Sequence, residues 1–151
     1  MNTILEKDTI LKRTNGIQLE LEELKKLGVL PFEEFSEGDG YKLAQYHLHR
    51  ALEGVFNIAA HVLSRIPGAQ ATTYKDTAMK LGEFGIVEKE FAEKNLAKMA
   101  NYRNRLVHFY AEITPQELYD LLHNNLGDFD IFLHGVKELL ENPEKFGLSV
   151  E

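Results

Sequence analysis

Apolar residues recur at helical spacing along almost the whole chain. Between residues 3 and 27, Ile4, Leu11, Leu19, Leu21, Leu24 and Leu27 fall partly in register for one helix face, and Gly28 stands where a C-terminal cap belongs. Gly16 weakens that helix, because a helix-interior glycine costs about 1 kcal/mol relative to alanine. The stretch 28–40 contains Pro31 and an acidic cluster of Glu33, Glu34, Glu37 and Asp39, and reads as a connection. A second helix is expected over 41–64, where Ala44, Leu48, Ala51, Val55, Ile58, Ala59 and Val62 keep a continuous apolar stripe.

Pro67 and Gly68 end that helix, and a short third one is expected over 73–81, with Thr73 and Asp76 spaced as a capping box. After a turn bracketed by Gly82 and Gly85, a fourth helix spans 87–108. The fifth opens at Thr114-Pro115-Gln116-Glu117, where Thr caps, Pro fills the first turn and Glu reaches back. Its stripe of Leu118, Leu122, Phe129, Phe132, Leu133, Val136 and Leu140 runs until Asn142-Pro143 stops it. No segment alternates as a strand does. The pattern predicts an all-α fold, an antiparallel bundle of four long helices plus one short helix, with residues 1–151 forming a single domain.

Composition narrows the chemistry. The 151 residues are 44% apolar and 27% charged, the balance of an ordinary globular protein. The chain has no cysteine, which excludes a disulfide scaffold, thiolate metal sites, iron–sulfur clusters and a cysteine nucleophile. No basic leader precedes an apolar run and no apolar stretch is long enough to span a bilayer, so the expected location is the cytoplasm. The formal net charge of -7 opposes nucleic-acid binding through a global field. Locally, Lys89, Lys94, Lys98, Arg103 and Arg105 outnumber Glu90 and Glu93, a basic island that reads either as a solvated face or as a pointer to an anionic ligand.

The histidines offer no metal site. Asp120-Leu-Leu-His123 is the one approximation to the Glu-x-x-His pair that a di-metal bundle uses twice. His47 and His49 diverge by about 160° on a helix, and His47 and His61 lie about 21 Å apart along it. His47, His49, His61, His123 and His134 therefore read as surface or satisfied polar positions, with no cofactor or metal expected. Phosphate loops, zincin signatures and nucleophile elbows are also lacking.

The block Asn101-Tyr102-Arg103-Asn104-Arg105-Leu106-Val107-His108-Phe109-Tyr110 is different. On a helical wheel Arg103 falls among Leu96, Met99, Ala100, Leu106 and Val107, all within about 60° of it. A buried unpaired charge costs several kcal/mol, so Arg103 must be paired, face another subunit, or line a cleft holding an anion. Arg105, near 200° from Arg103, points to solvent, whereas Asn104 and His108 share a sector at about 100–140°. A guanidinium, an amide and an imidazole on one helix suit phosphate chemistry, while an interhelical polar network explains the same residues without function.

Arg103-Asn-Arg-Leu-Val-His108-Phe-Tyr110 resembles the R-x-x-x-x-H-x-Y motif of the HepT-like branch of the HEPN superfamily. The resemblance extends over about 41–141, through Arg50-Ala51-Leu52-Glu53, Thr73-Tyr74-Lys75 and Asp128-Phe129. It implies a toxin of a type VII toxin–antitoxin pair, a metal-independent endoribonuclease with Arg103 and His108 as catalytic residues supported by Asn104. It further implies a homodimer whose two motifs face one cleft, and a minimal nucleotidyltransferase antitoxin that silences the toxin by attaching AMP to Tyr110. On spacing alone Tyr110 also fits a boundary tyrosine at a helix end. A non-catalytic helical module that binds a nucleotide or a nucleotidyltransferase is the alternative function.

Overall fold

A computed structural model describes residues 2–108 and 112–151. The chain runs through β1 (Ile4–Leu5), α1 (Lys7–Gly28), α2 (Phe32–Glu37), α3 (Gly40–Ser64) and α4 (Tyr74–Glu83). It continues as α5 (Lys89–Phe91), a π-turn (Ala92–Leu96), α6 (Ala97–Val107), α7 (Pro115–Asn124) and α8 (Gly127–Glu141). A 3-10 turn (Pro143–Phe146) and β2 (Ser149–Val150) close it. The all-α bundle expected from the periodicity is the observed architecture.

The axis of the bundle is α3. Its stripe from Ala44 to Leu63 is buried on more than one side, since Leu52, Phe56 and Leu63 are covered as fully as Leu48, Val55 and Val62. Ile10, Ile17, Leu21 and Leu24 of α1 and Phe129, Phe132, Val136 and Leu139 of α8 belong to the same apolar cluster. Truncating a buried phenylalanine such as Phe56 or Phe132 to alanine typically costs about 3–5 kcal/mol. Gly54 makes the α1–α3 approach possible: a Cβ there would lie 2.6 Å from Ile17 Cγ1.

Four expectations about local structure need correction. Helix α1 begins at Lys7 rather than residue 3, because Ile4 and Leu5 pair in parallel with Ser149 and Val150. Gly147, at φ 69°, turns the chain end back toward them, and two-residue strands are too short to show alternation. The supposed connection 28–40 contains α2, whose Phe35 is fully buried and packs 5.1 Å from the Tyr119 ring. Helix 114–142 is two helices, broken at Asn125 and Leu126, where Asn124-Asn125 and Gly127 bring poor helix propensity together. The fourth helix is not uniform either, since one π-turn interrupts its register at Ala92–Leu96. Gly16, by contrast, does not break α1.

The caps are local and form much as expected. The Thr73 hydroxyl accepts from the Asp76 amide at 3.0 Å, although the Asp76 carboxylate reaches the Thr72 amide rather than that of Thr73. Thr114 accepts from the Glu117 amide at 3.2 Å, but the Glu117 carboxylate does not reach back to the cap and is committed elsewhere.

The terminal pairing is fastened to α3 by the Glu6 amide, which donates to His61 Nε2 at 3.2 Å. Burial, then the positive Arg65 and, more weakly, Arg13, hold the His61 pKa below its ordinary value against the opposing pull of Glu6. A neutral imidazole is thus the folded form, and its contribution is complete above about pH 6.5 and lost as pH falls through the depressed folded value. Thermal melts from pH 7.5 to 5 are expected to show this acid-side loss, and His61→Gln, which keeps an acceptor without the titration, is expected to lessen it.

Candidate active site

The last turns of α6 carry Arg103 and Asn104. Arg103 Nε donates to Glu53 Oε1 of α3 at 2.6 Å, and the guanidinium lies 4.0 Å above the centroid of the Tyr74 ring at the start of α4. Tyr74 is stacked at 5.0 Å on the buried Phe56, and its hydroxyl is 3.5 Å from Glu53 Oε2. Arg103 is therefore held from the side by a carboxylate and from below by an aromatic pair, with 24% of its side chain still exposed. Of the situations open to a charge in that stripe, pairing within the chain is met by Glu53. Glu53 occupies Nε, while Nη1 is 3.5 Å from the Asn104 amide oxygen. The terminal nitrogens form the edge of the fork that meets an anion bidentately.

His108 departs from the expected geometry. Helix α6 ends at Val107, and His108 takes an extended conformation (φ -109°, ψ 97°) while its amide donates to the Asn104 carbonyl at 3.0 Å. Asn104 and His108 are both exposed at this helix end. Tyr110 lies outside the described residues.

Arg105 does not point to solvent as expected. Its guanidinium meets the Glu117 carboxylate through two hydrogen bonds of 2.6 and 2.7 Å, and Nη2 donates to the Glu112 carbonyl at 2.9 Å. The bond to Arg105 holds the Glu117 carboxyl below the ordinary range, against the upward push of burial. Tyr41 of α3 donates its hydroxyl to the Ile113 carbonyl and to Glu112 Oε1. The chain from Glu112 to Glu117 is thus stitched to α6 and α3. Sequence reasoning missed this clamp because it assigned Glu117 to the cap of its own helix.

The remaining histidines have separate surroundings. His47 Nδ1 lies 2.6 Å from Glu20, and His123 Nδ1 lies 2.8 Å from the Tyr119 carbonyl. His49 Nε2 is 3.5 Å from Glu53 Oε1, which brings an imidazole to the carboxylate that holds Arg103. No group of three or more His, Asp or Glu side chains gathers as a metal site among the described residues. Among them, too, no helix is long and apolar enough to cross a membrane.

An all-α bundle with a fixed guanidinium, an amide and an imidazole at one helix end is equipped for chemistry on a phosphate. Residues 17–136 match the family described as ribonuclease HepT-like, and the chain belongs to that family. It is similar to a tRNA nuclease HepT from Aphanizomenon flos-aquae (strain 2012/KM1/D3), with 24% identity over 121 residues, 80% of this chain and 82% of the relative. The activity class is that of an endoribonuclease, cleaving RNA phosphodiester bonds.

Loss of the Arg105 clamp is expected to be measurable apart from catalysis. Arg105→Ala should cost about 1.5–3 kcal/mol in denaturant unfolding, the usual range for hydrogen bonds to a charged partner. Amide exchange over 112–118 is expected to quicken in the same variant. Arg105→Lys, which lacks the planar fork, should recover only part of both effects.

Proposed function

We propose that this chain is the toxin of a type VII toxin–antitoxin pair and cuts RNA without a metal ion, using the ribose 2′-hydroxyl as nucleophile. The observation that carries the reading is the restrained guanidinium of Arg103, offered at a helix end that also bears Asn104 and leads into His108. The 2′-oxygen attacks the adjacent phosphorus while the bond from phosphorus to the 5′-oxygen breaks, leaving a 2′,3′-cyclic phosphate and a 5′-hydroxyl. His108 takes the proton from the 2′-hydroxyl, and a second acid returns one to the departing 5′-oxygen. Arg103 stabilises charge on the pentacoordinate phosphorus, and Asn104 orients the phosphate.

A homodimer, with the two motifs across one cleft, supplies the second imidazole from the other protomer. The working unit is a single domain over 1–151, acting in the cytoplasm. The name of the similar cyanobacterial protein makes tRNA the RNA to test first. Purified protein is expected to cleave tRNA in EDTA, with His108→Ala and Arg103→Ala slower by about 10²–10⁴-fold, the usual contribution of a positioned acid–base group. Undiminished cleavage in either variant would remove that residue from the chemistry. No cleavage by any preparation, together with retained nucleotide or partner binding, would favour the non-catalytic module.

Regulation acts through Tyr110 in this reading. A minimal nucleotidyltransferase transfers AMP to the phenol, and the added phosphate competes with substrate for the Arg103 guanidinium. Co-expression is expected to yield protein heavier by one or more AMP units at Tyr110, inactive on RNA. Intact-mass and fragment spectra decide it, and a modified form that still cuts RNA normally would end the regulatory role.

A further inference from the structure

A groove of about 350 Å³ runs between α1 and α3, with Arg13, Gly16, Arg50, Glu53, Gly54 and Asn57 among its lining residues. Glu53 is shared: it lines this groove and also grips Arg103. The groove therefore begins where the candidate active site ends.

Two features of the groove, and one beside it, go beyond what packing of the fold requires. First, Arg13 is half-buried yet makes no hydrogen bond or ion pair among the described residues. The nearby carboxylates are already occupied, since Glu20 bonds Arg50 and His47 at 2.6 Å each while Glu53 holds Arg103. Three guanidiniums thus surround two carboxylates, and the surplus positive charge sits on Arg13. Second, Gly16 lies in the interior of α1, where glycine costs about 1 kcal/mol relative to alanine, and a Cβ there would meet nothing within 4 Å. Packing does not require this glycine; what its bareness does is leave the groove wall open. Third, beside the groove and one turn before its lining residue Arg50, Tyr46 is 56% exposed with its ring 5.4 Å from the Arg50 guanidinium.

An uncompensated guanidinium, a backbone left bare and an exposed aromatic ring are the elements by which single-stranded nucleic acid is held, through phosphate contact and base stacking. We propose that the α1–α3 groove is a substrate subsite that binds the single-stranded RNA flanking the scissile phosphate, with Arg13 on a backbone phosphate and Tyr46 against a base. The proposal rests on the ribonuclease reading and extends it from the reacting phosphate to its neighbours. An extended strand suits the groove better than a lone phosphate, because the cationic, bare and aromatic positions are strung along two helices rather than gathered at one point.

The test is binding of a fluorescent single-stranded 2′-O-methyl RNA, which lacks the nucleophile and so reports occupancy without cleavage. Arg13→Ala is expected to weaken binding about tenfold and to lower the salt slope by about 0.7, one phosphate contact on a single strand. Tyr46→Ala is expected to weaken it by a similar factor. Gly16→Glu adds a negative side chain in open space, and should weaken binding without lowering the melting temperature. Crosslinks from 4-thiouridine RNA are expected in the peptides spanning 13–20 and 46–57. Wild-type affinity in Arg13→Ala and Gly16→Glu would overturn the subsite and leave the ribonuclease reading standing. If wild-type protein neither binds this RNA nor cleaves its unmodified counterpart, both fall together.

Discussion

The structure turns on one charge placed where its helix is otherwise apolar. Arg103 follows Met99 and Ala100 along the face of α6 that packs inward, and a guanidinium there is tolerable only with a partner. Glu53 supplies the countercharge from 50 residues away, and Tyr74 supplies a flat surface under the cation. Each partner is fixed in turn: Glu53 belongs to the most buried helix, and Tyr74 is stacked on Phe56 of that same helix. Even the Thr73 cap takes part, because it starts α4 at Tyr74 and so sets where the ring emerges. Three helices converge on a single side chain, which leaves its terminal nitrogens forward with little freedom to lose when an anion arrives.

Acidity and RNA chemistry are compatible here because the charges are sorted. The chain carries a formal net charge of -7, yet around the α3 face the carboxylates of Glu20 and Glu53 are each engaged by arginine and histidine. Burial raises the Glu20 pKa, but Arg50 and His47 more than offset it and keep that carboxyl below its ordinary value. A carboxylate tied to guanidinium in this way repels a phosphate much less than a free one. At solution ionic strength the field of distant surface acids is screened within about 8–10 Å, so local groups govern whether a strand is accepted. The total charge governs the long-range approach instead, and disfavours indiscriminate binding of long nucleic acid.

Local signals were legible in the sequence and distant pairings were not. Helical periodicity exposed the α3 stripe, the Thr73 and Thr114 caps, and the anomaly of Arg103, because each depends on residues within a few turns of one another. The resemblance lay over Glu53 and Tyr74 as well as the Arg103 block, but nothing in spacing assigns a carboxylate on one helix to a guanidinium 50 residues later. Arg105 was misread for that reason: its wheel position is polar, and only the approach of α7 makes Glu117 its partner. The acidic cluster at 33–39 masked the Phe32 and Phe35 pair that anchors α2 against Tyr119. His108 was placed on a helix because the pattern supports continuation, whereas α6 ends at Val107, and the described chain is next tied down at Glu112 and Ile113 by Arg105 and Tyr41.

The π-turn links packing to the orientation of this helix end. A π-turn accommodates one residue beyond the α repeat, which rotates everything after it by about 100° relative to an uninterrupted helix. Gly82 meets the segment closely, since a Cβ on it would lie 2.6 Å from Ala92 Cβ and 3.3 Å from Lys89 Cα. Inside the turn, the Asn95 amide donates to Asp128 of α8 at 3.0 Å, so this stretch is docked on both α4 and α8. With those contacts satisfied before α6 begins, the extra residue resets the phase of α6 independently of α5. In an unbroken helix Ala92 and Arg103, eleven residues apart, would share one face; the extra residue turns them about 100° apart, so that Ala92 meets Gly82 of α4 while Arg103 reaches Glu53 of α3. The irregularity in the backbone and the charge in the apolar stripe are therefore two parts of the same arrangement: the first aims the helix, and the second is what it aims.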